Sequence, residues 1–152
     1  MNTKFSPFLK VLYGTAAIAA LFTGFGNMPL YGRYYVADLP GLGWSGNFFL
    51  NVNVHILAGS VLLAIAVYVL TASLLIRRPP VEKLSFSGKT RGLLLALTLV
   101  TGVIMVFKNL PSVHLPMAAL IAFNFLHMGA AILFMLAALI ALILRMSWTK
   151  TR

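Results

Sequence analysis

Two histidines stand inside runs that are otherwise apolar: His55 in NVNVHILAGS (51–60) and His127 in FNFLHMGAAI (123–132). An ionisable side chain in such a run is expensive, usually turns to the protein interior, and marks a candidate site. Counted from the outer ends of their runs, His55 lies about six residues or ~9 Å in, and His127 about ten residues or ~15 Å. The two are therefore expected at comparable depth on antiparallel segments. Facing imidazoles at one level can clamp a haem iron from both sides. Small residues adjoin both: Ala58 and Gly59 follow His55 at i+3 and i+4, and Gly129, Ala130 and Ala131 follow His127. Residues at i+3 and i+4 share the histidine's face, and small ones leave room for a flat macrocycle. Asn51 and Asn124, one turn before each histidine, are placed to hydrogen-bond a neighbouring group or to orient an imidazole. Arg33 and Lys108 are the cations available to haem propionates at the outer surface.

The same residues have a plainer reading. Ala and Gly pack membrane helices without any cofactor, and a neutral histidine can be satisfied by a hydroxyl or a carbonyl. A haem-free anchor, with histidines that are structural or line a quinone pocket, therefore stays open. Zinc is disfavoured because no third or fourth protein ligand is at hand. His114, in KNLPSVHLPM between Pro111 and Pro116, reads as interfacial or solvent-exposed and is the second choice as a ligand. Met28 and Met105 are unorthodox axial candidates, though methionine at such positions more often packs. With no cysteine, thiolate-ligated iron–sulfur clusters and disulfides within the chain are excluded. No Gly-rich phosphate loop and no pair of acids is present, so no catalytic residue for substrate chemistry is expected.

The elements that must carry these histidines follow from composition. Of 152 residues, 61% are hydrophobic, and Asp38 and Glu82 are the only acids. A spanning helix needs about 20 mainly apolar residues. Four runs qualify, at about 9–27, 50–76, 92–108 and 117–144, and no room remains for a soluble domain. The expectation is one all-α integral membrane domain over 1–152, a four-helix bundle, because open strands leave backbone groups unsatisfied in lipid. A small transporter or channel is disfavoured, as no acid or cation lies mid-span to handle an ion. No internal repeat is evident.

The net charge of +10 could suggest nucleic acid, but the placement of the cations argues for topology. Ten of the twelve lie before or at the start of the first run, between the second and third, or after the fourth; Arg33 and Lys108 alone lie toward the other side. By the positive-inside rule both termini and the 77–91 loop face the cytoplasm. That loop reads as a solvated basic turn touching anionic lipid. The N-terminus lacks a convincing A-x-A cleavage site and is kept as the first span. The first helix, without an ionisable residue in its apolar run, reads as packing scaffold. The outer link, 28–49, is rich in Tyr, Trp and Phe and is read as an interfacial lid in preference to a docking surface built on Arg33 and Asp38.

Histidines in spans 2 and 4 of four, with cytoplasmic ends, make the chain resemble the small b-type cytochrome subunits of respiratory oxidoreductases. The formate dehydrogenase gamma and bacterial cytochrome b561-like group is the closest comparison, and NVNVHILAG and FNFLHMGAA are similar to its ligand segments. The resemblance implies a non-catalytic electron-transfer subunit of the bacterial-type cytoplasmic (inner) membrane. It would pass electrons between an iron–sulfur or cytochrome subunit docked outside and the quinone pool, among other membrane subunits and lipid. It implies one haem b, and a quinone as possible substrate. Helix 1 has no histidine, so the second, inner haem of that group has lost a ligand. His114 and His127 are spaced like the group's helix-4 pair, which raises His55 with His114 as the second pairing.

Overall fold

The computed structural model describes residues 6–28, 36–75 and 84–150. Among them the protein is all-α, with four α-helices: α1 Pro7–Gly26, α2 Phe48–Leu75, α3 Phe86–Phe107 and α4 Met117–Ile143. Each is long and apolar enough to cross a membrane, and the chain is a membrane protein. Three of the expected spans agree with the helices within two residues at either end. α3 differs, beginning at Phe86 rather than 92, so Lys89 and Arg91 lie on the helix and not in a loop.

The chain divides into two compact units, 1–68 and 69–152. In the first, the Ser6 hydroxyl caps α1 by accepting from Leu9 N–H at 3.2 Å, with Pro7 opening the helix. The described part of the outer link folds onto that helix. A single 3-10 turn, Gly43–Gly46, sets the Trp44 ring against Phe22, centroids 5.7 Å apart, and Ser45 is buried beneath it. Asn47 then caps α2, its side-chain oxygen accepting from Leu50 N–H at 3.1 Å.

In the second unit α3 packs along α4, where Ala130, Phe134 and Ala141 are buried. The end of α4 reverses the chain. Met146 N–H donates to the Ala141 carbonyl at 2.8 Å and Arg145 N–H to Leu142 at 3.2 Å, with Arg145 left-handed at φ 51°. That is the bond pattern of a Schellman stop, with arginine where glycine is usual. The returning tail lies on the start of α3. Ser85 N–H donates to the Trp148 carbonyl at 3.0 Å, the Ser85 hydroxyl donates to Ser147 at 2.7 Å, and Leu84 bridges Thr149.

Arg91 explains why α3 can begin so early. Its guanidinium lies 4.1 Å from the Trp148 ring centroid, and it donates to the carbonyls of Ser87 and Met146. Only 6% of it is exposed. It is thus a tail clamp as well as a cation. A desolvated stack of this kind contributes about 2 kcal/mol. Arg91→Ala should therefore loosen the tail, measured as several-fold faster tryptic cleavage after Arg145; an unchanged rate would deny Arg91 that role.

Polarity inside the helix pairs is reversed from that of a water-soluble core. Among the described residues the largest fully buried side chains are Asn51, Thr23, Thr101 and Ser45, while Leu57, Ile18, Leu93 and Leu142 are well over half exposed. Lipid solvates leucine as well as a protein interior does, so close packing and hydrogen bonds hold such helices together instead.

Candidate functional site

His55 lies seven residues into α2, half-buried, with its ring turned toward α1. Its Nδ1 is 3.0 Å from the Ala20 carbonyl oxygen and 3.1 Å from Thr23 Oγ1. A carbonyl oxygen only accepts, so Nδ1 carries the proton. The Thr23 hydroxyl proton is directed to the Ala19 carbonyl at 2.6 Å, which leaves its oxygen to accept from the same Nδ1–H. Gly24 completes the seat: a Cβ there would come within 3.2 Å of His55 Cε1.

His127 lies ten residues into α4 and repeats this arrangement on α3. Its Nδ1 is 3.0 Å from the Thr98 carbonyl and 3.1 Å from Thr101 Oγ1, whose own proton goes to Leu97 at 2.7 Å. A Cβ on Gly102 would stand 3.1 Å from His127 Cε1. The two seats agree within a tenth of an ångström in these contacts. Each is built from a Leu-x-Thr-Gly segment, LFTG at 21–24 and LVTG at 99–102, across from His-x-x-Ala, with Ala58 and Ala130 both buried. Each seat lies within its own unit.

These seats supply what sequence reasoning missed. α1 does more than pack: it fixes the proton of an imidazole on the neighbouring helix. The available signal was a threonine followed by glycine in two apolar spans. A carbonyl–Nδ1 bond sets the tautomer and ring orientation, so that in the neutral ring the lone pair resides on Nε2. That is the donor a metal centre uses.

The other candidate residues are placed as follows. Asn51 is fully buried, its amide donating to the Thr23 carbonyl at 3.1 Å and to Asn27 Oδ1 at 2.9 Å. It braces the helix that carries the seat. Its own Oδ1 has no hydrogen-bond partner among the described residues. Asn124 is exposed on α4, and His114 is exposed in the link before it. A Cβ built on Gly59 or Gly129 meets nothing within 4 Å, and Ala131, matching Gly59 in the repeat, is half-buried. Arg33 lies outside the described residues. Among the described residues no group of three or more His, Asp or Glu comes together to hold a metal ion.

An imidazole whose Nδ1–H is committed in this way and whose lone pair is on Nε2 is the tautomer that can ligate a metal through Nε2. No family model, curated protein or solved structure matches the chain. The likeness to small cytochrome subunits thus rests on the residues themselves.

Proposed function

We propose that this protein is a b-type cytochrome, the membrane-anchor subunit of a respiratory oxidoreductase in a bacterial-type cytoplasmic membrane. In this reading His55 and His127 are the axial ligands of one haem b. It carries electrons between an iron–sulfur or cytochrome partner on the outer face and the quinone pool. The observation that carries the reading is the repeated seat: both in-span imidazoles keep their proton on Nδ1, leaving the donor lone pair on Nε2. Haem, when bound, would supply a one-electron couple. The chain's own part is to hold the two imidazoles, exclude water and set the ligand strength through the Nδ1 bonds. The distribution of Lys and Arg supports cytoplasmic ends, with the outer link toward the partner.

One observation favours a second reading, a haem-free anchor or quinone-site subunit of such a complex. Each imidazole already has two Nδ1 partners on its neighbouring helix, which is also what a structural histidine in lipid needs. A dithionite-reduced minus oxidised spectrum of the purified protein separates the two. A b-type α band is expected; a flat difference spectrum from protein expressed with ample haem supply would leave the anchor reading standing.

A further inference from the structure

The two seats name residues that hold the imidazoles without being candidate ligands themselves. We infer that Thr23 and Thr101, with the Ala20 and Thr98 carbonyls, are equivalent positioning residues, one set per imidazole. Each holds Nδ1 protonated and sets the electron-donating strength of Nε2.

The chemistry follows from the bonds already described. Each threonine is almost fully buried, at 0% and 1% exposure, and each donates its single proton back to a carbonyl of its own helix. Its oxygen can therefore meet Nδ1 only as an acceptor. Nδ1–H is shared between this oxygen and a carbonyl, both pulling on the proton. Drawing that proton outward makes the ring more imidazolate-like and Nε2 more basic, which favours an oxidised metal over a reduced one. Gly24 and Gly102 let the rings sit close enough for the pull to act. The duplication yields a further consequence: both ligands receive the same push, so losing either threonine should have the same sign and similar size.

The tautomer part stands without a cofactor; the ligand-strength part rests on the haem reading, and the test keeps the two apart. Full-length protein carrying ring-labelled histidine in lipid bilayers is studied by nitrogen NMR in its reduced state. His55 and His127 should both show protonated Nδ1. Thr23→Val should shift only the His55 ring and Thr101→Val only the His127 ring, while Thr→Ser at either site restores the wild-type signal. A ring protonated at Nε2 alone, or valine variants with unchanged signals, would overturn the inference whether or not haem is present. In the haem-loaded protein each valine variant should raise the midpoint potential by a similar amount, with serine returning it. Shifts of opposite sign would overturn the equivalence. Absence of any haem band would instead count against the proposed function, with the ring signals still deciding the tautomers.

Discussion

His55→Ala and His127→Ala should each abolish the haem α band outright, while His114→Ala leaves it intact. The size of the effect follows from how such a haem would be retained. With no cysteine in the chain, no thioether link can tether the macrocycle. Axial bonds and packing are all that remain. Removing a partner of a metal ligand typically weakens metal binding by about 10–100-fold, and removing the ligand itself should exceed that. Alanine also removes the Nδ1–H bond to the Ala20 or Thr98 carbonyl, each of which keeps its donors within its own helix. The net loss of one such hydrogen bond is about 0.5–1.5 kcal/mol. The measurement is the reduced minus oxidised spectrum at matched protein concentration, with helicity checked by circular dichroism. A band surviving in either variant would remove that residue from the ligand pair, and loss of the band in His114→Ala would move the pairing to His114.

The second large effect is expected far from the histidines. Gly88→Ala should throw the C-terminal tail off α3. A Cβ on Gly88 would run into the Trp148 carbonyl oxygen, which is backbone and cannot swing aside as a long side chain would. That carbonyl also receives Ser85 N–H, and the adjoining Trp148 ring lies over Arg91. One methyl group therefore breaks several contacts together: the Ser85 bonds, the Leu84–Thr149 bridge and the cation–π stack. The loss should exceed that of Arg91→Ala, which leaves the Ser85 bonds in place. Trypsin cleavage after Arg145 and a change in Trp148 fluorescence report it, with Trp44 substituted by Phe to isolate the signal. A tail as protected as wild type would show that α3 and the tail can separate slightly without letting go.

Composition alone was enough for the four helices, because an apolar run of spanning length has few other fates. It does not reach the start of α3, where a charged stretch is helix and not loop. Lys89 and Arg91 look like solvated cations until Trp148, 57 positions later, is known to cover one of them. Ser85 was the readable clue, a capping hydroxyl three residues before the Gly88 N–H it accepts from. Each histidine stood out in the sequence because a titratable group in an oily run is rare. Their seats did not. Sequence spacing exposes neighbours at i+3 and i+4 on one helix, whereas Thr23 and Thr101 reach across from another. The repeat was hidden for a related reason: 78 positions separate the two threonines but 72 separate the two histidines, so no single period aligns them. Asn51 was noticed for its distance from His55, yet its bonds go to Thr23 and Asn27.

The reversed polarity of the helix pairs has a consequence for how this sequence can drift. Outside, Leu, Ile, Val and Phe are close to interchangeable, because lipid is an undemanding neighbour. Inside, a hydroxyl, an amide and two missing methyl groups have almost no substitutes. Over generations the greasy exterior can be rewritten almost freely, until little recognisable text is left. A few small polar letters would persist, and a distant cousin would be found by looking for Thr-Gly opposite His-x-x-Ala, twice.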